Sequence, residues 1–222
     1  LMSNNFDVYR NGKGILIGVD ISRSALSIAK LSISHSSVKS QYIEMDSENI
    51  GFRKSIFSKI FCQYGLMFFP NILNVLKEIK ELLIKNGKLS IAVHGASARV
   101  PYFSCIMNSI LKYIPDIRPK GAPSVHILGN PTDLYNILKS AEFSNIQIKK
   151  YTFYYQAGIF EEYWSDYMSS TANSIFPIIE SKGKSIISAI KRDAREIAEK
   201  YTDINGIINF PWEVLIASAY NN

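Results

Sequence analysis

GILIGVDISRSALSIAK, residues 14–30, joins an unbroken apolar run to an acid and then to a helical pattern. The run GILIGV is what a strand covered on both faces of a parallel sheet requires. Asp20 closes it. In SRSALSIAKLSI, Ser22 or Ser24 can cap a helix whose apolar stripe is Ala25, Ile28, Ala29 and residues 31–33. A carboxylate at the carboxyl end of such a strand can accept two hydrogen bonds from a ribose diol. It can equally cap the helix that follows, favoured by the helix dipole. A nucleotide-binding domain of this kind carries a Gly-rich turn about 20 residues ahead of the acid. Asp20 lies too near the start of the sequence to leave room for one.

The rest of the first half repeats the strand and helix alternation that builds a parallel sheet with crossover helices. QYIEMD (41–46) is a second short strand ending in an acid. SKIFCQYGLMFF (58–69) holds a third buried strand that ends near Cys62 or Gln63. Pro70 opens PNILNVLKEIKELLIKNG, predicted to stay helical until Asn86-Gly87 stops it. GKLSIAVHG (87–95) is a fourth strand. Residues 96–129, rich in aromatics, Pro and Ser, predict an irregular lid around one helix, YFSCIMNSILKYI. NPTDLYNILKSAEF then reads as a helix, SNIQIKKYTFYY as an alternating strand, and FEEYWSDYMSS and SKGKSIISAIKRDAREIAEKYT as helices. GIINFPWEVLIASAYN ends the sequence as a strand pair or one bent strand, with Pro211 at the bend.

With 222 residues the expectation is one domain, 1–222. No apolar run approaches the ~18 residues of a membrane span, and LMSNNFDVYR lacks the apolar core of a signal peptide. Cys62 and Cys105 lie in apolar surroundings, and no Cys/His spacing suggests a metal. A reduced, cytoplasmic setting is expected. The net charge of +6 is spread along the chain. Its densest segment, KRDAREIAEK (191–200), alternates sign and predicts helical pairs Arg192–Glu196 and Arg195–Glu199. That describes a solvated helix face, not a nucleic-acid surface.

The order of these pieces resembles the class I S-adenosylmethionine-dependent methyltransferases, especially their small-molecule, quinone-biosynthesis-like group. Four segments carry the resemblance: GVDISRSALSIAK, YIEMDSENIGF, FCQYGLMFFPNILNVLKEIKELLIKNGKLSIAVHG and INFPWEVLIASA. Within the third, Gln63, Gly65, Phe68, Phe69, Pro70, Glu78, Leu82, Leu83 and Gly87 match a segment familiar in that family. The resemblance implies a Rossmann-like α/β sheet of order 3-2-1-4-5-7-6, parallel but for an antiparallel C-terminal strand. The family's first strand and its D-x-G-x-G-x-G turn have no counterpart before Asp20, so the domain reads as N-terminally incomplete. Three alternatives follow: residues upstream of Leu1, a substitute strand from residues 4–10, or a gap closed by another chain or a reordered sheet.

By resemblance the cofactor is S-adenosylmethionine and the partner a small, partly apolar acceptor. Asp20 would hold the ribose and Ile21 lie against the adenine. Asp46 would accept the adenine amino group with Ser47 beside it, or else form an Asx turn. Gln63, Tyr64 and Gly65 would line the methionine end, where a sulfonium favours π-faces and carbonyls. The segment 96–129 would form the acceptor side, with Tyr102, Phe103 and His126 as substrate contacts. Tyr113, Tyr154, Tyr155 and Trp164 are further candidate walls, or core. His94 is a candidate for a catalytic base, as is His126 in the lid, and each is a structural histidine otherwise. Rival readings are an inactive methyltransferase-like binding protein and a nicotinamide-dependent oxidoreductase. The second also needs a Gly-rich turn and leaves the antiparallel aromatic end unexplained.

Overall fold

The computed structural model describes residues 14–33, 39–119 and 121–222, which fall into two compact units, Leu1–Lys54 and Ser55–Asn222. The substitute strand considered for residues 4–10 lies outside the described residues.

The smaller unit is a strand–helix–strand: β1 (Ile15–Asp20), α1 (Arg23–Ile33) and β2 (Lys39–Glu44). The strands are parallel, in register from Ile15 opposite Lys39 to Asp20 opposite Glu44. Ser22 caps α1, its Oγ accepting the Ala25 amide at 3.2 Å. The Tyr42 ring crosses β1 to donate its hydroxyl to Ala29 O at 3.3 Å. That crossing needs a glycine, because a Cβ on Gly18 would lie 2.9 Å from Tyr42 Cδ1. Arg23 Nε donates to Glu44 at 2.7 Å, tying the helix start to the end of β2.

The larger unit holds a four-stranded sheet of order β3-β4-β6-β5: β3 (Phe57–Gln63), β4 (Leu83–His94), β5 (Ser144–Gly158) and β6 (Ile208–Tyr220). β3 pairs in parallel with β4, and β6 pairs antiparallel with both β4 and β5. β6 is thus the one strand running against the other three. The sequence left open a strand pair or one bent strand at the C-terminus, and the structure has one strand. Pro211 fits because β4 pairs only with residues 214–220 of β6, so position 211 has a single partner strand, and a residue without an N–H is tolerated there.

The second helical segment is a correction. α2 runs Ile72–Leu82 and ends four residues short of Asn86, although Leu83 and Ile84 favour helix. Leu83 instead pairs with Phe57, and Ser55 N and Ile56 N take the carbonyls of Glu81 and Leu82. The Asn221 side-chain amide then donates to Leu83 O at 2.9 Å and Lys80 O at 3.2 Å, closing the helix end from the far terminus of the chain.

Helices cover both faces of this sheet, and the alternation along β6 decides which cluster each strand residue joins. Leu215, Ala217 and Ala219, with Leu89 and Ile91 of β4, pack on α2 and α4 (Pro131–Ser140). Ile208 and Phe210, of opposite parity, pack on α3 (Pro101–Tyr113), α5 (Phe160–Ser169), α6 (Phe176–Ser181) and α7 (Lys184–Ala198). α3 is threaded into this second cluster through Tyr102, Cys105, Ile106 and Ile110, all buried.

The predicted charge pairs on α7 are also corrected. Lys191 and Arg195, one turn apart, both reach Glu161 in the first turn of α5. Arg192 turns to Asp193, a buried residue whose carboxylate also takes Lys112 at 2.6 Å and the Tyr113 hydroxyl at 2.8 Å. These charges bind helix to helix. They are not a solvated i,i+4 ladder.

Candidate functional site

In the smaller unit the parallel ladder continues one step past β2: Met45 N donates to Asp20 O at 3.1 Å. Asp20 and Asp46 therefore stand at the same end of neighbouring strands, both exposed. Asp46 lies two residues beyond β2, not at its last residue as the sequence suggested. Each carboxylate has one oxygen in a local turn. Asp20 Oδ1 accepts from Ser22 N at 2.8 Å, and Asp46 Oδ1 accepts from Glu48 N at 2.9 Å. The local roles allowed for both acids, helix start and Asx turn, are thus present. Asp46 Oδ2 also accepts from Asn49 Nδ2 at 3.3 Å, whereas Asp20 Oδ2 takes no partner among the described residues. Ile21 is exposed beside it and Ser47 half-buried.

In the larger unit the carboxyl ends of parallel β3 and β4 lie side by side, the edge where open α/β sheets collect ligands. β3 ends at Gln63, which is exposed. Tyr64 follows in the left-handed region, φ 53°, an uncommon conformation for a bulky residue, with its amide on Ala92 O at 2.9 Å. Gly65 then starts a short turn of 3-10 helix, Leu66–Phe68.

His94, the last residue of β4, is 6% exposed and enclosed by rings. Tyr64 stacks on it with centroids 4.3 Å apart, while Phe103 and Trp212 meet it at 4.9 and 5.3 Å. His126 lies 6.4 Å away, its Nδ1 hydrogen-bonded to Gly95 O at 2.8 Å. The loop holding His126 can come so close because Gly95 and Gly129 face each other: a Cβ on Gly129 would lie 2.6 Å from the Gly95 carbonyl. Burial, together with the neighbouring His126, lowers the His94 pKa from 6.5 to about 4. Burial also lowers that of His126, so both rings are neutral at pH 7. His94 Nδ1, His126 Nε2 and Trp212 Nε1 are buried without a partner among the described residues. Each such atom costs about 1–3 kcal/mol when left bare.

The structure brings Tyr64, His94, Phe103 and His126 into one cluster. Tyr102 adjoins it through Phe103 and Trp212, and its hydroxyl donates to Asp166 at 2.7 Å. Tyr155 reaches Trp212 at 5.6 Å, but Tyr154 is 73% exposed. Tyr113 is committed to Asp193, and Trp164 stacks on Phe160 beneath Lys191, so neither is a wall of this cluster. Trp212 was missed. The signal was available in INFPWEV, where Phe210, Trp212 and Val214 share one face of the strand.

Residues 3–91 match the family model of a methyltransferase domain. No curated protein sequence matches the chain. Among solved structures, a Bacillus halodurans protein described as a candidate methyltransferase superposes with a TM-score of 0.55 at 18% identity, over 94% of this chain and 83% of its own. The YcgJ protein of Bacillus subtilis does so at 0.57 and 14%, over 93% and 82%. A Haemonchus contortus phosphoethanolamine N-methyltransferase, solved with phosphomonomethylethanolamine and S-adenosylhomocysteine, gives 0.50 and 13% over 92% of this chain and 42% of its own. The two sheets, each in an order found within the expected one and the larger with one antiparallel strand, agree with that fold. The chain has the Rossmann-like α/β fold of the class I methyltransferases.

Proposed function

We propose that the chain transfers a methyl group from S-adenosylmethionine to a small, partly apolar acceptor. The observation that carries this reading is the placement of Asp20 and Asp46 at one end of adjacent parallel strands on this fold. An exposed carboxylate whose second oxygen has no partner among the described residues suits a ribose diol, and Ile21 beside it offers an apolar face to a base. Asp46 and Ser47 take the adenine amino edge. Gln63, Tyr64 and Gly65 take the methionine end. The structural relative that holds S-adenosylhomocysteine supports the same cofactor.

S-adenosylmethionine supplies an activated methyl group on a sulfonium centre. The protein's share is therefore alignment and exclusion of water, not activation by a nucleophile. Phe103, Tyr102 and His126, on the segment 96–129, give the acceptor an aromatic surround. His94, neutral at pH 7, is able to receive a proton from an acceptor there. Cys62 and Cys105 are free thiols, in keeping with a cytoplasmic setting. No helix among the described residues is long and apolar enough to cross a membrane.

Calorimetric titration with S-adenosylhomocysteine tests the reading. Micromolar binding that Asp20→Ala weakens supports it. Absence of binding supports the rival, a methyltransferase-like binding protein.

A further inference from the structure

β5 stands at one edge of the four-stranded sheet, with β6 as its only neighbouring strand among the described residues. Every second residue of an edge strand turns its backbone N–H and C=O away from the sheet, a template for another strand. Proteins guard such edges with prolines, bulges, charges or a cover. β5 has no proline, and its register shifts fall between Ser144 and Gln147 and between Gln156 and Gly158. Its charges are Lys149 and Lys150 alone. Residues 149–156 are exposed without a break, whereas a strand with one sealed face alternates.

Four rings lie in that stretch, divided between its two faces. Tyr151, Phe153 and Tyr155 share one face, and Tyr154 lies on the other. Their exposure runs from 39% for Tyr155 to 73% for Tyr154. The uncovered parts of the four come to about 400 Å², half of the about 800 Å² that one partner buries in a stable interface. The backbone edge and the side chains between the rings can supply the rest. A partner laid on one face would leave the rings of the other in water. A strand docked edge-on places cross-strand neighbours on both faces.

We propose that β5 is the joint between two copies of this chain, paired antiparallel about a twofold axis through Thr152. Such an axis stands normal to the sheet, so residues of one face meet residues of the same face. Tyr151 then lies opposite Phe153, Lys150 opposite Tyr154 and Lys149 opposite Tyr155. Each ammonium meets a ring, and none meets another ammonium. The paired stretch, residues 148–156, stays within the regular part of the strand. Phe153 stacks on Trp212 with centroids 6.1 Å apart, so the joint runs beside the ring cluster of His94. Association needs neither cofactor nor acceptor and stands apart from the methyl-transfer reading.

Sedimentation velocity of the full chain across about 1–100 μM tests this. The wild type should form a dimer reversibly. Tyr154→Lys sets like charges opposite Lys150 at both symmetry-related pairs and should weaken association about tenfold or more. Tyr154→Glu removes the same ring but offers Lys150 an opposite charge, and should keep the dimer. Tyr154 is largely exposed, so both variants should retain the wild-type circular dichroism. A dimer indifferent to Tyr154→Lys, or equal dissociation by both substitutions, would overturn the proposal. So would a wild-type monomer throughout, and its co-sedimentation with phosphatidylglycerol vesicles would assign the rings to a lipid surface instead.

Discussion

The imidazole of His94 lies parallel to the phenol ring of Tyr64, with centroids 4.3 Å apart and planes inclined by 16°. Each ends or follows a parallel strand, and the φ of 53° at Tyr64 is what turns its ring onto its neighbour's instead of continuing the strand. Tyr64→Gly relieves the backbone conformation and removes the ring. The expected result is a native fold with a loosened ring cluster, read as unchanged far-ultraviolet circular dichroism with a weaker near-ultraviolet signal.

Burial of neutral His94 sets a pH dependence. Its pKa is about 4 in the fold against 6.5 for a free side chain, so between those values the unfolded chain binds the extra proton. Stability is then complete above about pH 6.5 and falls as the pH drops toward 4. His126, shifted the same way, adds to the slope. Urea denaturation at pH 5 and pH 7 should show the midpoint falling at pH 5, and His94→Phe should flatten part of that difference.

Gly129→Ala places a methyl group 2.6 Å from the backbone carbonyl of Gly95, which has no side chain to swing aside. The loop must lift, at a cost of about 1–3 kcal/mol. The His126 bond to Gly95 O should open with it. Chemical denaturation measures the first effect, and the His126 imidazole resonances report the second.

Tyr163 is buried, and its hydroxyl donates to Tyr102 O at 2.6 Å, holding α5 against α3. Tyr163→Phe should cost about 1 kcal/mol. Asp193 joins α3 to α7, and Lys112, first among its partners, with Tyr113 and Arg192 lowers its pKa to about 2. Its contribution is full above the ordinary carboxylate pKa and is lost as the pH falls toward 2. Asp193→Asn should lower the thermal midpoint at pH 7 and remove that part of the acid sensitivity.

Continuous apolar runs made much of this architecture legible, in β4 through burial and in β1 although its residues are half-buried or exposed. GILIGV and the end of LSIAVHG needed no context to be read as strands. The end of α2 was not legible, since Leu83 leaves the helix to pair with Phe57 and Asn221 caps it from the last residues of the chain. Local propensity cannot report partners so distant. The same holds for Arg195, whose helical neighbour Glu199 looked the natural partner while Glu161 of another helix takes the charge. At the site, strand ends with an acid or a histidine could be picked out singly. That Trp212 shares an enclosure with His94 depends on the register of β6 against β4, where His94 faces Val214.

The account depends most on a carboxylate taking a ribose diol at the end of β1, and one comparison addresses it directly. S-adenosylhomocysteine and its 2′,3′-dideoxy analogue are titrated into the wild-type chain and Asp20→Ala. The wild type should favour the natural ribose by about tenfold or more, as two hydrogen bonds to a charged acceptor require. Asp20→Ala should bind both compounds with the same reduced affinity. Equal binding of the two by the wild type, or a preference that survives in Asp20→Ala, would contradict it.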